Sequence, residues 1–119
     1  MAYSTQKLNY RKEATITTTA ATRALSGVFQ TQDSRFAVIT VRMSSIGTGN
    51  IQVFDAATVG SDGEIDPTTA RALGTAAVST TEIVIELDGT NILRNHLQVY
   101  LTSGTGTNVI TDVLVTRQV

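Results

Sequence analysis

The chain has 119 residues, a formal net charge of −1 and no cysteine, a profile that suits one domain, argues against general nucleic-acid binding and excludes disulfides and thiolate metal sites. No apolar run approaches the roughly 18 residues of a membrane span, and the polar N-terminus is not a secretory signal, which predicts synthesis in the cytoplasm. The 21 threonines, 12 valines and 9 isoleucines are β-branched and favour a pleated sheet.

The first twelve residues are a basic lead-in to an otherwise acidic chain. Residues 1–12 carry three cations and no acid, whereas residues 13–119 carry six arginines against ten acids. The apolar residues of the lead-in are spaced too irregularly to define one face of a strand. We therefore predict an extended N-terminal arm, residues 1–12, attached to a single β-sandwich domain, residues 13–119.

Three strands are predicted next, at 13–19, 28–31 and 36–43, from their β-branched or alternating residues. The third is the clearest, and because both of its faces hold apolar residues we expect it to lie inside a sheet. Its inward face is predicted to hold Ala37, Ile39, Val41 and Met43. The loop 45–50 then leads into a strand at 51–54, which predicts a hairpin.

Residues 55–80 are the least regular stretch. Glycines, acids and the single proline, Pro67, interrupt it. The run that follows Pro67 is predicted to form one helical turn ending at Gly74, and residues 75–78 to rejoin the sheet.

Alternation is clear again in the second half of the chain. In the strand 82–87, the even-numbered acids Glu82 and Glu86 are predicted to face water, and the odd-numbered Ile83, Ile85 and Leu87 to face inward. The odd positions of the strand 97–102 are predicted to face inward as well. The two Gly-Thr-Gly turns, 47–49 and 104–106, are similar in sequence.

The last predicted strand, 109–119, completes a set of seven or eight strands. Its predicted inward set is Val109, Thr111, Val113 and Val115, with Ile110 and Leu114 on the opposite face. Short strands at turn spacings of this kind, without strand–helix alternation, are typical of sandwiches and barrels. We predict an all-β, antiparallel, jelly-roll-like β-sandwich.

The sequence contains no recognisable catalytic apparatus. His96 is the only histidine, which excludes a two-histidine zinc site, and a surface histidine at a strand edge is its more frequent role. Glu82 and Glu86 share one predicted outer face and therefore do not face each other across a cleft, as glycosidase acids must. We predict no enzyme activity, no catalytic residue and no cofactor.

Four acids within twelve residues form the most chemically suggestive cluster, Asp55, Asp62, Glu64 and Asp66. Hard carboxylate oxygens of this kind can bind calcium, although the spacing is not that of an EF-hand. Turn capping is the reading we favour, because aspartate is ordinary at the start of turns. The sequence leaves calcium binding open.

Two further groups are candidates for binding. Tyr100 alternates outward in its strand and can serve as a stacking platform for sugars, although a half-buried sheet residue is the simpler reading. The arm combines aromatic anchors with cations, the residue types enriched at protein interfaces. Its candidate partner-binding residues are Tyr3, Lys7, Tyr10, Arg11 and Lys12. A frayed terminus explains the same composition equally well.

The whole chain resembles small virion proteins of tailed bacteriophages. The likeness lies in its Thr-, Gly-, Ala- and Val-rich body without cysteine or tryptophan, the basic lead-in from Tyr3 to Lys12, and strands such as 36–43 and 109–117 separated by Gly-Thr-Gly loops. In particular it resembles capsid decoration, or cement, proteins, which often carry β-sandwich or jelly-roll bodies.

That resemblance implies a non-enzymatic protein on the outer capsid surface. Its expected partners are the major capsid protein or other virion proteins, and it is expected to be a homo-oligomer, dimer or trimer, that clamps neighbouring capsomers. Deleting residues 1–12 is expected to weaken attachment while leaving the β core folded. The alternatives are a carbohydrate- or receptor-binding sandwich of the fibre-head type and another head–tail structural component.

Overall fold

The computed structural model describes residues 5–9, 15–30, 36–88 and 96–118. In these ranges ten strands form two five-stranded antiparallel sheets. The strands are β1 (Thr5–Asn9), β2 (Ile16–Thr18), β3 (Arg23–Ala24), β4 (Phe29–Gln30), β5 (Phe36–Ser45), β6 (Thr48–Ala56), β7 (Arg71–Ala77), β8 (Glu82–Asp88), β9 (His96–Thr105) and β10 (Asn108–Gln118).

The order of the strands is that of a jelly roll. Sheet 1 runs β1-β10-β5-β8 and sheet 2 runs β3-β9-β6-β7; β2 also pairs with β10, and β4 with β9. If β1 and β2 are counted as one interrupted strand, and β3 and β4 as another, eight strands lie in the orders 1-8-3-6 and 2-7-4-5. Two four-stranded layers in these orders make a double Greek key. The predicted antiparallel, jelly-roll-like sandwich is confirmed.

The core lies between the two sheets and is built mainly from alternate residues of β5, β6, β8, β9 and β10. The inward set predicted for β5, Ala37, Ile39, Val41 and Met43, is buried. So is the predicted inward set of β8, whereas Glu82 and Glu86 are exposed. As predicted, β5 lies inside a sheet, between β10 and β8.

The inward face predicted for the last strand is wrong at its start. Ile110 is only 1% exposed, whereas Val109 and Thr111 are half-buried. The pairing of β10 with β5 shifts register on both sides of Ile110. Each extra residue of a bulge reverses the face that the following residues occupy, which a strict period of two cannot anticipate. Val113 and Val115 are buried, as predicted.

The helical turn predicted after Pro67 is shorter than expected. The amide of Ala70 donates to the carbonyl of Asp66 at 3.0 Å, and β7 begins at the next residue, Arg71. Gly74 therefore lies within a strand instead of ending a helix. A Cβ atom at Gly74 would lie 2.6 Å from Cγ2 of Ile85, so the close approach of β7 to β8 requires glycine there.

The two Gly-Thr-Gly turns lie side by side where β5 passes to β6 and β9 passes to β10. The buried side chain of Asn108 joins them, because its Oδ1 accepts from the amide of Gly47 at 2.9 Å and its Nδ2 donates to the carbonyl of Thr48 at 3.3 Å. The hydroxyls of Thr48 and Thr105 also form a hydrogen bond. This corner ties the two sheets together at one end.

Part of the predicted N-terminal arm belongs to the sandwich. Residues 5–9 form β1, which pairs antiparallel with β10 at one edge of sheet 1. Lys7 occupies the position opposite Thr116. The other candidate partner-binding residues, Tyr3, Tyr10, Arg11 and Lys12, lie outside the described residues.

Candidate functional site

The segment 57–70, which joins β6 to β7, folds over the outer face of sheet 2. Its buried apolar residue, Ile65, is 1% exposed and packs with Ala24, Phe54 and Tyr100 in a second, smaller apolar cluster. The rings of Phe54 and Tyr100 meet edge to face, with centroids 5.7 Å apart. The segment is therefore a packed cover and not a loose surface loop.

Two buried side chains of β9 hold the main chain of Ile65. The hydroxyl of Tyr100 donates to the Ile65 carbonyl at 2.7 Å, and the Ile65 amide donates to Oε1 of Gln98 at 2.9 Å. Both polar groups of a buried residue are thereby satisfied, which removes the main cost of placing irregular backbone against a sheet.

The same glutamine extends the network to the other side of β9. Nε2 of Gln98 donates to the carbonyl of Ser26 at 2.8 Å, and the Val99 amide donates to the Ser26 hydroxyl at 3.0 Å. Gln98 and Ser26 are both fully buried. This network was not predicted from the sequence, where the available signal was a glutamine between two core residues of a strand that is buried on both faces.

The four clustered acids do not converge on one point. Asp55 is fully buried in β6, and its carboxylate accepts two hydrogen bonds from Arg71, from Nε at 2.9 Å and from Nη2 at 2.6 Å. Oδ1 of Asp62 accepts from the amide of Glu64 at 3.0 Å, and Oδ1 of Asp66 accepts from the amide of Thr68 at 2.9 Å.

Turn capping, the reading favoured from sequence, is therefore the observed role of Asp62 and Asp66. Across the residues that the structure describes, no group of three or more His, Asp or Glu side chains is arranged to hold a metal ion. The hydroxyl of Thr68 also donates to Asp66 at 2.7 Å, and these bonds from Thr68 lower the pKa of Asp66.

Two shallow cavities open beside segment 57–70, with volumes of about 400 and 380 Å³. The larger is lined by Asp62, Asp66, Pro67 and Tyr100, among others. Burial, and then the charges of Asp62 and Asp66, raise the pKa of Tyr100. The phenol therefore stays protonated at neutral pH and acts as a hydrogen-bond donor to the main chain, not as a base.

Tyr100 cannot offer its ring to a sugar in this arrangement. It does lie on the outer face of its sheet, as predicted, but segment 57–70 covers it and leaves it 5% exposed.

His96, the other residue of β9 considered from the sequence, is half-buried at the first position of the strand. Nδ1 of His96 lies 3.2 Å from Nε2 of Gln30 on β4, which places this histidine at the end of a strand pair.

The outer face of sheet 1 remains open where the structure describes it. Val84 on β8 is 47% exposed and Val38 on β5 is 37% exposed. Charged residues flank them, including an exposed ion pair in which Nε of Arg42 lies 3.1 Å from Oε2 of Glu82. The two faces of the sandwich therefore differ, because sheet 2 is covered by its own chain and sheet 1 presents valines to solvent.

Comparison with known proteins places the fold but not a family. No family model matches the chain, and no curated protein matches it by sequence. Among solved structures it is similar to the SPBc2 prophage-derived protein YomS, with a TM-score of 0.56 and 14% sequence identity. The match covers 100% of this chain and 96% of YomS, so the whole sandwich is shared.

The described ranges contain no helix of sufficient length and hydropathy to cross a bilayer.

Proposed function

We propose that this chain is a non-enzymatic virion structural protein of a tailed bacteriophage, and that it acts as a capsid decoration protein binding between capsomers on the outside of the head. The observation that carries the proposal is the jelly-roll sandwich shared over its full length with a prophage-derived protein. The proposed partners are the major capsid protein and further copies of this chain.

The use of polar groups in the fold supports a structural role. Three buried polar side chains carry groups that could take part in chemistry, those of Asp55, Gln98 and Tyr100. Each of them forms hydrogen bonds within the chain itself. Buried polar networks that are satisfied in this way rigidify a fold and specify one arrangement. A rigid body without disulfides can fold in the cytoplasm and then add contact area to a lattice.

Repetition over the shell makes a modest contact sufficient. Each copy bound between capsomers needs only a small interface, because many copies act on one closed shell and several contacts operate together. The open face of sheet 1, with Val38 and Val84, offers apolar area for such contacts. The arm residues Tyr3, Lys7, Tyr10, Arg11 and Lys12 remain the proposed partner-binding set.

The proposal can be tested with particles of the phage that carries this gene. Heads purified from a gene-deletion strain are mixed with the purified protein, separated from unbound protein by sedimentation, and heated until DNA is released. Saturable binding with a higher release temperature is the expected result. Failure of the protein to sediment with heads at any concentration would contradict the proposal.

A further inference from the structure

Sheet 1 ends in two strands that each have one partner among the described strands. β1 pairs with β10, and β8 pairs with β5. The pairing of β8 with β5 runs from Glu82 to Asp88 without a register shift. β8 also lacks proline and lysine, two of the residues that commonly prevent an edge strand from pairing with another chain.

The edge of sheet 2 near β8 is protected in a way that β8 is not. In β7 the register shifts between the partners of Val53 and Phe54, so that Leu73 is an extra residue. A bulge of this kind bends an edge and discourages pairing. The regular β8, with Ile83, Val84 and Ile85 at its centre, is therefore the better site for strand addition.

The register of sheet 1 places opposite charges at its two ends. Lys7 of β1 lies opposite Thr116, Thr116 lies opposite Val38, and Val38 lies opposite Glu86 of β8. These four residues, one from each strand, form a row across the sheet that begins at a lysine and ends at a glutamate. The adjacent row begins at Leu8 and ends at Ile85. Three antiparallel steps separate the edges, so β1 runs antiparallel to β8.

We propose that copies of this chain associate head to tail through sheet 1, with β8 of one copy pairing antiparallel with β1 of the next. Continuation of the rows puts Glu86 opposite Lys7 and Ile85 opposite Leu8. Cross-strand pairs of opposite charge and of apolar side chains both stabilise a sheet. This inference rests on the homo-oligomer part of the proposed function and names the surface that forms it.

Symmetric pairing of like edges is disfavoured by the same charges. Two β8 strands paired about Val84 would place Glu82 of each copy opposite Glu86 of the other, and like charges directly opposite destabilise a sheet. Two β1 strands paired about Lys7 would bring the two lysines together. Head-to-tail contacts of this type close into rings when the rotation between copies allows it.

The test is a charge exchange measured by sedimentation velocity on purified protein, without phage particles. Glu86→Lys and Lys7→Glu each replace the opposite-charge pair by a like-charge pair, and each is expected to weaken self-association by about tenfold at low salt. In an equimolar mixture, every contact between unlike variants joins opposite charges again. The mixture should therefore associate more strongly than either variant does alone.

Asp62→Lys is the matched control, because it makes the same change of charge at an exposed position of segment 57–70, on the other sheet. It should leave association unchanged, and thermal unfolding confirms that all variants fold. A native protein that stays monomeric at millimolar concentration would overturn the inference, as would variants that associate normally or a mixture that fails to recover. Binding of the protein to heads is measured separately, so neither result decides the other.

Discussion

Asp55 and Arg71 lie directly opposite each other on β6 and β7, and the guanidinium of Arg71 spans both carboxylate oxygens of Asp55. The aspartate side chain is fully buried and the arginine side chain is 31% exposed. This pair fixes β7 to sheet 2 at the point where segment 57–70 returns to the sandwich. The bond to Asp55 also raises the pKa of Arg71.

Removing one member of this pair should be costly. Asp55→Ala is expected to lower the free energy of unfolding by about 2 to 3 kcal/mol, somewhat less than for a fully buried pair because Arg71 retains contact with water. The control is Glu82→Ala, which removes an exposed arginine–carboxylate pair, that of Arg42 and Glu82, whose side chains are 51% and 56% exposed. That change should cost less than about 1 kcal/mol. Equal losses in urea unfolding would show that burial is not what distinguishes the pairs.

Gln98 is expected to be the most important neutral polar side chain. Gln98→Leu leaves the Ile65 amide and the Ser26 carbonyl without their partner, which should cost about 2 kcal/mol or more. Gln52→Leu is the matched control, because Gln52 is half-buried on the neighbouring strand and bonds only to the hydroxyls of Thr75 and Thr102. Hydrogen exchange should show faster exchange of the Ile65 amide in Gln98→Leu alone; unchanged protection would argue against the network.

The corner formed by the two Gly-Thr-Gly turns should reject any side chain at Gly47. A Cβ atom there would lie 2.3 Å from the carbonyl oxygen of Thr105, whereas at Gly27 nothing lies within 4 Å. Neither glycine has a positive φ, so only the available space differs. Gly47→Ala should cost about 2 to 3 kcal/mol, and Gly27→Ala should be neutral or stabilise by up to about 1 kcal/mol. Thermal melts of the two variants that coincide would refute this account of the corner.

Alkaline pH should weaken the attachment of segment 57–70. The pKa of Tyr100 is raised above its ordinary value of 10.0 in the folded chain, so the folded state holds this proton more tightly than the unfolded state. The corresponding stability is complete below pH 10 and is lost as the pH rises through the folded pKa. Tyr100→Phe removes this part of the alkaline loss, at the cost of about 1 kcal/mol at neutral pH.

Ultraviolet absorbance titration near 295 nm provides the direct readout. One of the three tyrosines of the native protein should ionise at a higher pH than a free tyrosine. This step at higher pH should be absent from Tyr100→Phe. A step at high pH that persists in Tyr100→Phe would contradict the raised pKa of Tyr100.

Period-two alternation predicted those parts of the fold in which strands are regular. The inward residues of β5 and β8 follow from the sequence because their pairing has no interruption over residues 36–42 and 82–88. The same rule failed at Ile110, where bulges interrupt the pairing of β10 with β5 and change the face that follows. It predicted only the second half of β7, at 75–78, because Arg71–Ala77 has no fully buried residue and holds a glycine.

The polar network of sheet 2 was beyond such reasoning for a different physical reason. Ile65 is a single apolar residue among glycines and acids, so no periodicity marks it as buried. Its position depends on contacts with Gln98 and Tyr100, which are more than thirty residues away in sequence. The turn-capping role favoured for Asp62 and Asp66, by contrast, is local and was predictable.

The most direct test of the proposed role is a difference map between electron cryomicroscopy reconstructions of heads from the parent phage and from a strain that lacks this gene. A decoration protein predicts extra density of jelly-roll size on the outer surface, repeated between capsomers with the symmetry of the shell. Identical head surfaces, or density confined to the tail or neck, would contradict that role.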